Sequence, residues 1–172
     1  MLFRSGTVIY SADTQTWTQA ASVTTQNINA MAASLNLVVA VGDNGTIIKS
    51  SDAVTWTAAA TVPSSAHLYG VAMSDSGTWV AVGAAGTILT STDGNTWTAQ
   101  TSGSSVNLRA AGVLTSFVNL SNTYQYIAVG DSGTILRSTD GITWVAQTSN
   151  TTNTLNAVSA INQFLVVGNS GT

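Results

Sequence analysis

The feature that most limits what this chain can become is its repetition. The phrase STDGITW at 138–144 has close variants at 11–17 (SADTQTW), 50–56 (SSDAVTW) and 91–97 (STDGNTW). Their tryptophans, Trp17, Trp56, Trp97 and Trp144, are spaced 39, 41 and 47 residues apart. A second phrase recurs as VAVGDNGTIIKS (39–50), VAVGAAGTILTS (80–91) and IAVGDSGTILRS (127–138), with a partial copy, LVVGNSGT, at 165–172. A fainter third phrase reads INAMAAS (28–34), LYGVAMS (68–74), LRAAGVL (108–114) and LNAVSAI (155–161). A period near 40 residues means that one supersecondary unit is copied and stacked.

Within each unit four short apolar runs alternate with turn residues. Asn44-Gly45, Ser132-Gly133 and Ser170-Gly171 mark tight hairpins, because glycine takes positive φ at no steric cost. Asp93-Gly94 and Asp140-Gly141 mark the following turn in the same way. Four antiparallel strands per unit is the pattern of a propeller blade. The expected fold is therefore all-β, a single β-propeller domain over 1–172, with blades near 27–60, 67–100 and 107–148. Residues 155–172 and 1–20 supply half a blade each. Either they share one blade and close a four-blade ring, or the chain forms part of a larger ring. Closing a ring removes exposed sheet edges, which matters in a chain with few charges to guard them.

Composition narrows the partners. Only 6% of residues are charged, against about 25% in typical soluble domains. The net charge is −3, glutamate is absent, and Arg4, Lys49, Arg109 and Arg137 are the only basic residues besides His67. Neutralising several phosphates needs a basic patch, so no nucleic acid partner is expected. An anionic membrane surface is unfavourable for the same reason, and no apolar run approaches the ~20 residues of a membrane-spanning helix. With no cysteine there is no disulfide or zinc–thiolate site. Neither a metal nor another cofactor is expected.

The recurring Ser-x-Asp-x-x-Thr-Trp phrase resembles the Asp-box of bacterial neuraminidase-type (BNR) repeats, although its Asp-to-Trp spacing is four rather than the usual five. The whole unit is similar to repeats of photosystem II assembly-factor propellers, and such units occur in phage and bacterial surface proteins. The resemblance implies that Ser11, Asp13 and Trp17, Ser50, Asp52 and Trp56, Ser91, Asp93 and Trp97, and Ser138, Asp140 and Trp144 are structural. The bottom-up reading agrees: an Asp in such a turn accepts backbone N–H groups, and each Trp is expected to pack between neighbouring blades. One turn carboxylate per blade does not supply the six or more oxygens a hard cation wants.

Function is expected where the copies disagree. Aligning the first strands puts Asn29, Tyr69, Arg109 and Asn156 at one position. Aligning the third strands matches Tyr10, Lys49, Thr90 and Arg137. Tyr, Asn and Arg around a channel suit sugars or peptides through stacking and forked hydrogen bonds. The sialidase resemblance implies three arginines and a Tyr–Glu pair, which a chain without glutamate cannot supply, so no enzyme is expected. The leading expectation is a virion or cell-surface module binding a glycan or host ligand, possible also as a homo-oligomer or part of a larger assembly. A protein-docking scaffold is the alternative, and a sialidase-like hydrolase a distant third.

Overall fold

The computed structural model describes residues 6–21, 23–118 and 121–171. Its sixteen strands run β1 (Ile9–Tyr10), β2 (Thr18–Gln19), β3 (Ile28–Ala33), β4 (Val38–Gly42), β5 (Ile47–Ser50), β6 (Thr57–Ala58), β7 (Leu68–Met73), β8 (Trp79–Gly83), β9 (Ile88–Ser91) and β10 (Thr98–Gln100). They continue as β11 (Leu108–Val118), β12 (Ser121–Gly130), β13 (Ile135–Ser138), β14 (Val145–Gln147), β15 (Leu155–Ala160) and β16 (Phe164–Gly168). Three antiparallel four-stranded sheets follow chain order: β3–β6, β7–β10 and β11–β14. Two half-blades flank them, β1–β2 and β15–β16, and these stay separate two-stranded sheets. The shared terminal blade is thus not among the ladders of the described residues.

The first strands β3, β7, β11 and β15 lie side by side in that order, so the sheets fan out from an axis. The second strands carry the core. Val39, Ala40, Val41, Ala81, Val82, Ala128 and Val129 are fully buried. Their near-continuous apolar sequence, where a one-sided strand would alternate, follows from cover on both faces by neighbouring blades. β16, FLVVG, is equally apolar but alternates in burial, because no further blade covers it among the described residues.

The hairpin between second and third strands is built as its sequence requires. Asn44 (φ 52) and Gly45 (φ 68) are both left-handed, and the Thr46 N–H closes the turn on the Asp43 carbonyl at 3.0 Å. This is the primed turn that matches strand twist. Ahead of it, a side chain at Gly42 would overlap the Asn27 carbonyl oxygen, which accounts for the recurrent Val-Gly. In the third complete blade β11 and β12 are 11 and 10 residues long, against 6 and 5 for their counterparts in the blade before.

Candidate functional site

The repeated Ser-Asp-Trp phrase closes the outer turn. In the third blade Asp140 Oδ1 accepts the Ser138 hydroxyl (2.8 Å) and the backbone N–H groups of Ile142 and Thr143 (both 2.8 Å). Ser138 Oγ in turn accepts the N–H groups of Asp140 and Gly141, and Trp144 Nε1–H donates to the Gly141 carbonyl. Ser91, Asp93 and Trp97 repeat the set, and Ser50, Asp52 and Trp56 and Ser11 and Asp13 most of it. Backbone N–H donors stabilise the ionised form, holding Asp52, Asp93 and Asp140 at about 2 and Asp13 lower still. These groups act as turn caps.

Trp56, Trp97 and Trp144 are 5%, 2% and 9% exposed, each packed against the preceding blade. Trp17 departs from the expected inter-blade packing. It is 60% exposed, because no blade precedes its half-sheet among the described residues.

The four variable first-strand residues share a structural peculiarity that their alignment did not reveal. Every inner strand has a register shift at that point: between Ile28 and Ala30, Leu68 and Gly70, Leu108 and Ala110, and Leu155 and Ala157. Asn29, Tyr69, Arg109 and Asn156 are the extra residues of four bulges, and a bulge re-aims its side chain. Three of them then reach the first residue of the hairpin in their own blade. Asn29 Nδ2–H donates to Asp43 Oδ1 (3.0 Å), and Asn156 Nδ2–H donates to Asn169 Oδ1 (2.7 Å). Arg109 forks onto Asp131 through Nε (2.8 Å) and Nη2 (3.2 Å). In the second blade this hairpin residue is Ala84, and the bulge residue is Tyr69, released from any such partner.

His67 lies outside both sets of aligned variable positions. Its Nδ1 lies 3.1 Å from Asp43 of the preceding blade, sixteen residues from the Asn27 that also binds this carboxylate (2.7 Å). The His67 ring stacks parallel to Tyr69 at 6.5 Å, and the Arg109 guanidinium lies 5.5 Å from the Tyr69 ring centre. A continuous polar path therefore runs Asn29, Asp43, His67, Tyr69, Arg109, Asp131 across three blades. Hydrogen bonds, from Asn29 above all, hold Asp43 below the usual carboxylate range, and Arg109 does the same for Asp131. Among the described residues no three His, Asp, Glu or Cys side chains gather as a metal site.

The third-strand set lies apart from this path. Arg137 Nε–H donates to Gln125 (3.3 Å) on the neighbouring strand, and Thr90 accepts from Gln100 (2.8 Å). Tyr10 lines a small rim groove with Asp13, and Lys49 is half-buried on β5. A larger groove of about 450 Å³ lies at the rim between the second and third blades, lined by Thr90, Thr98, Gln100, Asp93, Asp140 and Ile142 among others.

YCF48 from Cyanidioschyzon merolae is similar at a TM-score of 0.50 and 16% identity, over 96% of this chain and 74% of that one. The fold is a β-propeller. A structure of YCF48 bound to D1 peptide matches at 0.47 and 17% identity, over 92% of this chain and 66% of that one. A propeller from work on GH130 mannoside phosphorylases and β-1,2-mannoside hydrolases matches at 0.46 and 14%, over 88% of this chain and 56% of that one. The expectation that the chain is no enzyme is corrected to this extent: a protein from glycoside-processing work is among the similar structures. No family model matches the sequence, and no curated protein does.

Proposed function

We propose that this propeller docks an extended protein segment across the bulged ends of its inner strands, the reading given above as the alternative to glycan binding. The observation that carries it is the change in the second blade. There Ala84 replaces the hairpin carboxylate, and Tyr69 lies between His67 and Arg109 with no hairpin group to hold it. Asp131 occupies the Nε edge of the Arg109 fork, leaving the terminal edge for a backbone carbonyl or side-chain amide. Tyrosine and arginine side by side are the residues most often found at the energetic centre of protein contacts.

An array of terminally blocked peptides tests this. Binding that is lost in Arg109→Ala and Tyr69→Ala but kept in Lys49→Ala supports the reading; no bound peptide, or binding indifferent to both substitutions, refutes it. The rim groove favours a second reading, a glycan held by hydroxyls and by Asp93 and Asp140. A virion or cell-surface location and BNR-type kinship belong with that second proposal. A glycan array read against Gln100→Ala tests it separately.

A further inference from the structure

At the start of its hairpin the second blade repeats the backbone of its neighbours but not their side chain. Leu68 faces Gly83 as Ile28 faces Gly42 and Leu108 faces Gly130. The N–H after each glycine donates to the carbonyl just before the inner strand: Asp43 to Asn27 (2.9 Å), Ala84 to His67 (2.8 Å) and Asp131 to Asn107 (3.0 Å). The Ala84 methyl therefore projects where Asp43 and Asp131 project carboxylates.

Those two carboxylates show what the surroundings of this position hold. Each takes one donor from the residue before its own inner strand, one from its own bulge residue and one from the blade that follows. For Asp43 they are Asn27 (2.7 Å), Asn29 (3.0 Å) and His67 (3.1 Å). For Asp131 they are Asn107 (2.9 Å), Arg109 (2.8 Å) and Thr154. In the second blade the same three places belong to His67, Tyr69 and Asn107. His67 is already spent on Asp43, and Asn107 turns its amide oxygen to the Ala85 N–H (3.2 Å). The bulge residue keeps its donor: the Tyr69 hydroxyl makes no hydrogen bond among the described residues. The Arg109 guanidinium, 5.5 Å from the Tyr69 ring centre, adds positive charge beside it. Ala84, Tyr69 and Arg109 are all partly exposed, so this position is open to a partner.

We propose that the second blade takes its carboxylate from the partner: an aspartate or glutamate side chain of the docked segment lies over Ala84 and accepts the Tyr69 hydroxyl, with Arg109 alongside. This rests on the reading that the propeller docks an extended protein segment, and it names the residue type that anchors it. The hydroxyl of tyrosine stands farther from its backbone than the amide of Asn29, which suits a carboxylate brought from outside the chain. A cationic residue is disfavoured here. It would meet Arg109, and both oxygens of Asp43 and of Asp131 already accept hydrogen bonds. A neutral residue would leave the charge of Arg109 unused beyond its pair with Asp131.

Terminally blocked peptides that bind the unmodified chain, remade with each Asp or Glu changed to Asn or Gln, test this by calorimetry. One such change is expected to raise Kd at least about tenfold, as loss of a charge-assisted hydrogen bond implies. Ala84→Asp supplies the carboxylate from within the chain, and Tyr69→Phe keeps the ring while removing the donor. With folding checked by circular dichroism, each is expected to abolish the difference between the acidic peptide and its amide counterpart. Peptides that bind equally well in acidic and amide forms overturn this inference and leave peptide docking standing. So does a preference for the acidic form that survives in either folded variant. Should no peptide bind at all, both readings fall.

Discussion

At the scale of single residues, the Asp-box carboxylates illustrate how a turn can imitate an acidic active site. Each is exposed and recurs beside a hydroxyl, yet its reactive oxygen is already committed to two backbone N–H groups and a serine. Because these groups are depressed from 3.8 to about 2, they contribute stability that is present above pH ~4 and is lost as pH falls toward 2. Stability followed by urea unfolding is expected to be level from pH 7 to 5 and to fall steeply between 4 and 2. Asp140→Ala, which frees two N–H groups and the Ser138 hydroxyl, is expected to cost about 1–2 kcal/mol at neutral pH in the same assay. Its pH dependence should flatten accordingly. The left-handed turn residues point the other way. Ala85 sits at φ 52 where the other copies have Asn44, Ser132 and Ser170. Ala85→Gly is expected to raise stability by about 0.5–1 kcal/mol, since glycine carries no Cβ to clash there.

At the scale of elements, the inter-blade tryptophans separate local from mutual stabilisation. Trp97 packs with Val39, Val41 and Ile47 of the blade before it. Trp97→Ala is expected to cost about 3–5 kcal/mol, the usual loss for a buried aromatic in a core that cannot collapse around the gap. Trp17→Ala removes a side chain that is largely exposed, so the same measurement should move by less than about 1 kcal/mol. The contrast between two copies of one motif isolates the neighbour's share of the energy.

At the scale of the whole molecule, blades adjacent in sequence pack on one another, β3 on β7, β7 on β11 and β11 on β15, so protection should grade along the arc. Hydrogen exchange is expected to be slowest in β4, β8 and β12, buried on both faces, and fastest in β2 and β16 at its ends. Equal protection throughout a monomer would mean that the blades do not behave as an open stack.

Much of this architecture was legible in the sequence, because repetition makes every copy a check on the others. Strand order, hairpin glycines and the capping role of Asp13, Asp52, Asp93 and Asp140 all follow from local geometry, which a short phrase encodes in full. Alignment also picked out Asn29, Tyr69, Arg109 and Asn156. It could not show that they are bulge residues, since a bulge depends on how two strands pair rather than on either strand alone. Nor could it bring His67 to Asp43, because the contact crosses from one blade to the next. The same limit explains Trp17: its motif matches the other three, but burial is set by what stands opposite. The sequence by itself determined the blade and its repetition, through turns and periodicity acting within a few residues. Only the tertiary structure decided the curvature, the polar path across the inner strands and the uncovered ends, because those arise between blades, where no single repeat holds both partners.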